Sequence, residues 1–186
     1  MQVTVTEAAR REQITGAAIE VLAEVGYGKT SFARIVEHAG LSSTRLISYH
    51  FRGKDDLMMA VLLAAMGTVD ERMTERLAGV TDRVGMVRGY IEAQVGLLYT
   101  HAKQVKAIRE VASGVADLAP VLAEFRHGRL ARQLTQGQRE GVFREFDVTV
   151  MARTIANGID GAIDAEVDPE IYGRELADLF IRACVG

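Results

Sequence analysis

The sequence predicts an all-α protein. Three observations carry this. Apolar residues recur at three- and four-residue intervals almost throughout. Proline occurs only at Pro120 and Pro169, and no low-complexity segment or internal repeat is visible. The one stretch with weak alternation, VFREFDVTV at residues 142–150, has no second strand to pair with, so it reads as a loop leading into a helix. The architecture expected is a three-helix N-terminal head over residues 1–53, followed by a larger helical domain over residues 54–186.

The elements follow in order. Over residues 7–25, Ile14, Ala18, Val21, Leu22 and Val25 fall on one stripe of an amphipathic helix, and Gly26 suits a left-handed C-terminal cap. Thr30 or Ser31 can cap a short second helix to about His38, with Phe32, Ile35 and Val36 inward. Gly40 then permits a tight turn with positive φ. Ser42 or Ser43 opens a third short helix to about Tyr49, with Leu46 as its inward residue. Gly53 restarts the chain, and Asp55 and Asp56 suit the positive end of a long fourth helix from Lys54 to about Ala78. Phe51 and Leu57 belong to the core, locking that helix onto the head. Further helices are expected at about residues 82–101, 104–113, 118–140, 148–166 and 169–185. Asp168 before Pro169 reads as an N-cap followed by proline at the first helical position.

Composition bounds the class. The chain has 186 residues, 48% hydrophobic and 25% charged, the balance of a globular protein. Its longest apolar run, residues 57–66, is too short to span a bilayer. The N-terminal MQVTVTEAARREQ lacks the apolar core of a leader. Cys184 is the sole cysteine, so no internal disulfide forms. The expected location is the cytoplasm. The four histidines are isolated and no paired-cysteine or HExxH spacing occurs, so no metal is expected. Asp160 and Asp164 share a helix face, an arrangement that usually faces solvent. No serine elbow or GxGxxG is present. The reading is a non-enzyme without a cofactor.

AEVGYGKT at residues 23–30 satisfies a relaxed phosphate-loop pattern. Such a loop joins a buried strand to a helix, whereas the segment before it has a 3.6-residue period and no parallel sheet is available. A helix connector fits better. GYGKTSFARIVEHAGLSSTRLISYHF has the layout of a helix-turn-helix. Residues 28–54 hold Lys29, Arg34, Arg45, Arg52 and Lys54 against Glu37 alone, net +4 in a chain of net −3, so the remainder carries −7. A basic window in an acidic protein is the electrostatic footprint of a DNA-reading face.

The residue pattern here resembles the DNA-binding region of the TetR family of transcriptional repressors. The matching run is Ile14, Ala17, Ala18, Gly26-Tyr27, Thr30-Ser31, Ile35, Ala39-Gly40-Leu41-Ser42, Tyr49-His50-Phe51, Lys54 and Leu57. It lies within residues 10–57, about a quarter of the chain. One departure stands out: twelve residues run from Gly40 to Phe51 inclusive, where the family pattern leads one to expect eleven. The resemblance implies a homodimer on a palindromic operator in double-stranded DNA. It also implies a small-molecule effector in the larger domain and a dimer seam from the last two helices. An all-helical interaction module without DNA binding is the alternative.

Short polar residues at the start of a recognition helix face the groove floor: Ser43, Thr44, Arg45 and Ser48. Arg45 can bind guanine bidentately or only a phosphate. Thr30, Ser31, Tyr49, His50 and Lys54 are phosphate candidates. Capping explains Thr30 and Ser31 equally well, and packing explains His50. Lys54 gains nothing from a helix N-terminus, which argues that an anion recruits it.

In the larger domain, Val84, Val87, Ile91, Val95 and Leu98 form a stripe on the fifth helix, and Gly85, Gly89 and Gly96 share a face suited to close helix contact. Tyr90, Gln94, His101, Arg109, Phe125 and His127 are ligand candidates. Ordinary core and surface roles fit them too. Met151, Ile155, Ile159 and Ile163, with Tyr172, Leu176, Leu179 and Phe180, are expected at a dimer seam; plain core packing is the alternative.

Overall fold

In the computed structural model, which describes residues 5–115 and 118–185, ten α-helices occur among the described residues and no strand does. They are α1 (Val5–Val25), α2 (Phe32–Ala39), α3 (Thr44–His50), α4 (Lys54–Arg76), α5 (Arg83–Thr100), α6 (Ala102–Gly114), α7 (Ala119–Ala123), α8 (Arg129–Arg139), α9 (Val148–Asp160) and α10 (Pro169–Val185). Residues 1–4 of the N-terminal stretch read above as lacking a leader lie outside this description.

The caps obey local chemistry. Ser31 accepts from the Arg34 amide at the start of α2, Asp82 from Gly85 at α5, and Asp147 from Val150 at α9. Asp168 accepts from Glu170 and Ile171 at α10. Each satisfies an otherwise orphan backbone donor. Gly40 ends α2 at φ 62°, the left-handed conformation that a Cβ disfavours. Residues 142–147 form the expected loop into α9. It is pinned at its start by the Arg144 amide, which donates to the Cys184 carbonyl at 2.9 Å.

Three details differ from the sequence reading. The helix expected over residues 118–140 changes register: α7 passes through a π-helical turn, Glu124–Gly128, into α8. Gly128 has no Cβ, and the Glu124 carboxylate occupies the space one would fill. The segment after α9 tightens into a 3-10 turn, Gly161–Asp164. Of the glycines expected at close contacts, Gly89 lies where a Cβ would meet the Leu77 side chain at 2.8 Å, while Gly96 faces open space; a further close approach is at Gly173, where a Cβ would stand 3.4 Å from Glu92 Cα.

The chain divides into two compact units. The first holds residues 1–69 together with residues 103–116, so α6 belongs with the head. Its core includes Ile14, Ala18, Leu22, Ile35, Ile47, Phe51, Leu57 and Val61, with Ala107 and Val111 of α6 also buried. The second holds residues 70–102 and 117–186. Val87, Ile91 and Val95 of α5 are buried there, with Leu130, Leu134, Ile155, Ile159, Ala177 and Phe180 from α8, α9 and α10. Arg88 pairs with Asp178 at 2.6 Å, tying α5 to α10.

Within the second unit Arg83 grips Glu140 with two nitrogens, at 2.8 and 2.9 Å. That fork, with a bond from Gln136, holds the Glu140 carboxyl down at about 2. A depressed carboxylate contributes stability above its ordinary value near 4.5, lost as the pH falls toward 2. We therefore expect Arg83→Gln to melt below the parent at neutral pH. The gap should narrow as the pH falls from 4.5 and close near 2, as followed by thermal melts across that range.

Candidate nucleic-acid interface

The helix-turn-helix is built from α2, the Gly40 turn and α3. Ile35 of α2 and Ile47 of α3 are fully buried. This corrects the reading of Leu46 as the inward residue: Leu46 is only half-buried. Ser43 is the N-cap residue of α3. Once Ile47 and Phe51 fix the inward side, Ser42, Ser43, Thr44, Arg45, Ser48 and Tyr49 are left exposed. Tyr49 is 75% exposed, unusual for an aromatic ring with no solvent-facing task. Ser48 returns its hydroxyl to the Thr44 carbonyl at 3.4 Å.

The phosphate candidates behave differently from one another. Ser31 is exposed at the N-terminus of α2. Thr30 is buried, and its hydroxyl donates to the Gly26 carbonyl at 2.8 Å, so it closes the turn after α1. His50 is half-buried. Its Nδ1 is enclosed with no partner among the described residues, which leaves Nε2 as the ring atom able to reach out. The Lys54 ammonium donates to the Tyr27 carbonyl at 2.9 Å and lies 4.2 Å from the Tyr27 ring centroid. The fold itself gives Lys54 a carbonyl and a cation–π partner, so its place near a helix N-terminus does not by itself argue for an anion. Thr30, Ser31 and Lys54 nevertheless line one cavity of about 290 Å³, with Phe32, Ile35 and Met58. The lining is chiefly apolar, and the Thr30 hydroxyl and Lys54 ammonium are already bonded to the Gly26 and Tyr27 carbonyls, so the exposed Ser31 hydroxyl at the start of α2 is the group placed to meet a phosphate.

Sequence reasoning missed Tyr27 and Glu110. The Tyr27 amide donates to Glu110 of α6 at 2.7 Å. The ring packs so closely on Gly114 that a Cβ there would overlap it. The contacts join residues more than eighty positions apart, and no local pattern announces them. Glu110→Ala leaves a part-buried amide without its acceptor. We expect a stability loss of about 1–3 kcal/mol in urea denaturation, and a smaller loss for Glu110→Gln, which keeps an acceptor.

The ligand candidates separate. In the second unit, Tyr90 is buried and donates to the Arg126 carbonyl at 2.9 Å, joining α5 to the π turn that carries Phe125 and His127. Gln94, one turn along α5 from Tyr90, is half-buried. Burial pushes the Tyr90 phenol up to about 12, opposed by Arg129, Gln94 and Arg126. His127 lies below its usual range through burial, then Arg153 and Arg126. His101 is the C-cap of α5, its Nδ1 3.0 Å from the Thr100 hydroxyl. Arg109 is exposed and lies in the first unit, whereas Tyr90 lies in the second.

The dimer candidates divide as well. Ile155, Ile159 and Phe180 are buried within the single chain. Met151, Tyr172 and Leu176 are half-buried, and the Tyr172 hydroxyl donates to the Gly158 carbonyl at 2.8 Å. Ile163 is exposed and Leu179 is 61% exposed, as are Val167 and Ile171, which the sequence reading did not include. No group of residues arranged to hold a metal ion occurs among those described, and no described helix is long and apolar enough to cross a membrane.

Comparison with known proteins places this geometry. Residues 14–61 match the sequence model of bacterial regulatory proteins, tetR family. The chain is 28% identical over 174 residues to the fatty acid metabolism regulator protein of Bacillus subtilis, covering 90% of this chain and 86% of that protein. It is 34% identical over 73 residues to the HTH-type transcriptional regulator BetI of Pseudomonas fluorescens, covering 39% of this chain and 36% of that protein. The fatty acid degradation regulator FadR from Bacillus halodurans has the same fold, with a TM-score of 0.78 at 19% identity, over 92% of this chain and 94% of that one.

Proposed function

We propose that this transcriptional regulator of the TetR family, with its N-terminal DNA-binding region, is a cytoplasmic, homodimeric repressor released from a palindromic operator by a small-molecule effector. Residues 1–53 read the DNA, and residues 54–186 hold the effector and the dimer seam.

The observation that carries the DNA reading is the outward face of α3. Ile47 and Phe51 are sunk in the head, and that anchoring turns Ser43, Thr44, Arg45, Ser48 and Tyr49 to solvent together. Phosphates then seat at Ser31, Lys54 and His50 Nε2, with Thr30 shaping the turn behind them. The effector reading draws on Tyr90, Gln94, Phe125 and His127. A buried tyrosine and half-buried polar side chains beside a π turn form a setting in which function recurs. Two relatives carry names that concern fatty acids, so a fatty acid, free or activated, is the first effector class to try. For the seam, exposed Ile163, Val167, Ile171 and Leu179 on the last elements supply the apolar surface that an isologous contact needs.

Selection of duplexes from a randomised pool tests the proposal. The recovered sites should be palindromic with half-sites about one helical turn apart, ~34–36 Å, or a multiple. Affinity for them should fall when fatty acids of increasing chain length are added. Recovery of no preferred sequence would end the readout assignment, and indifference to every fatty acid would end the effector class.

A further inference from the structure

We propose that Arg11 is a positioning residue for sequence readout: from α1 it holds the C-terminal end of the recognition helix, without itself meeting DNA. The inference goes beyond the assignment of the DNA face, because Arg11 lies outside the helix-turn-helix and its guanidinium points into the head.

Three contacts support it. The Arg11 guanidinium donates Nη1 to the His50 carbonyl, and His50 is the last residue of α3. The same guanidinium carbon lies 4.2 Å from the centroid of the Phe51 ring, the next residue, which is itself buried. Two positions along α1, the Gln13 amide donates to the Ala39 carbonyl at 3.4 Å, and Ala39 is the last residue of α2. So α1 reaches the C-terminal carbonyl of each helix of the motif, once with a cation and once with an amide.

The physical consequence concerns α3 in particular. It has only seven residues, so few internal hydrogen bonds resist tilting, and one apolar side chain of the helix proper, Ile47, is fully buried. A helix that short is held by what grips its ends. The C-terminal carbonyls carry the negative end of the backbone dipole, which a cation stabilises. The planar guanidinium offers the carbonyl a fixed fork of donors and the ring a delocalised plane, where an ammonium offers both only a point charge. Fixing this end sets the angle at which Thr44, Arg45 and Ser48 meet base edges. An error of orientation removes direct readout while leaving general attraction to phosphates intact.

The test compares two duplexes: the site that the parent chain selects from a randomised pool, and a scrambled duplex of equal length and composition. Affinities and their salt dependence are measured for the parent, Arg11→Ala, Arg11→Lys and Gln13→Ala, with helicity and melting temperature recorded for each. Arg11→Ala should lose about tenfold or more in the ratio of selected to scrambled affinity, with scrambled affinity and salt slope unchanged. Arg11→Lys should recover part of the ratio, since it keeps a cation for the carbonyl but not the stacked plane. Gln13→Ala should show the smaller loss. An unchanged ratio in Arg11→Ala, even with a lower melting temperature, overturns the proposal by reducing Arg11 to fold stability. A salt slope shallower by about one per head overturns it differently, by making Arg11 a phosphate ligand. Should Arg11→Ala fail to fold, the Arg11→Lys ratio decides: identity with the parent rejects the stacking role.

Discussion

Replacing Arg45 by alanine is expected to cost the operator complex at least about 30-fold in affinity. A bidentate arginine–guanine contact discriminates by ~1–3 kcal/mol, and a dimer makes the contact twice, so ~2–6 kcal/mol is at stake. Arg45 is exposed in the first turn of α3, so its truncation leaves no cavity, and the melting temperature should stay with the parent. The pattern of loss separates base readout from phosphate contact. With base readout, the selected sites of the variant lose their preference for guanine at one position in each half-site, and scrambled duplexes bind as before. With phosphate contact alone, all duplexes weaken together and the salt slope becomes shallower. A variant that binds the selected duplex as tightly as the parent removes Arg45 from the interface. Arg45→Ala alone is a cleaner test than its combination with Lys54→Ala, because Lys54 also braces Tyr27 inside the head.

Much of this fold is written locally. The Ser31 and Asp168 caps, the Gly40 turn and the loop over residues 142–147 each depend on a few adjacent residues, and each was legible for that reason. The face of α3 was harder. Leu46 and Ile47 are adjacent and both apolar, so which one points inward depends on where the helix begins, a matter of one residue in the turn before it. The roles of Thr30 and Lys54 were harder still. Each carries chemistry that suits a phosphate, yet Thr30 also closes a turn on Gly26, and Lys54 is held by Tyr27 across 27 positions. Tyr27 is itself held by Glu110, still further along the chain. Residue type suggested what these side chains can bind; only tertiary placement gave what they bind in the free protein. The same limit governed the last helices. A stripe of isoleucines at helical spacing has an apolar partner somewhere, and the sequence does not say whether that partner is the same chain or a second copy. For Ile155 and Ile159 it is the same chain.

That division selects the residue whose change should have the other large effect. Leu179 belongs to α10 and stands largely in solvent in the single chain, whereas Phe180 beside it is buried. Leu179→Glu should therefore leave the protomer folded, with helicity and melting temperature close to the parent at equal dilution. In a two-fold seam the same substitution acts on both copies and brings two carboxylates into an apolar contact. Burying charges without partners costs several kcal/mol after relaxation, enough to raise the dimer dissociation constant on the order of 100-fold or more. Operator binding then falls further than any single head contact explains. One head on one half-site loses the effective concentration that its linked partner supplies, an advantage of ~10²–10⁴. Sedimentation should report a monomer, and affinity for a full palindrome should drop to that for an isolated half-site. Phe180→Glu is the contrasting variant: it places a carboxylate in the core of the second unit and should unfold it whatever the oligomeric state. If Leu179→Glu sediments as a dimer and keeps the parent's affinity, the seam lies on another face of the second unit, and the exposed apolar residues of α10 have some other partner.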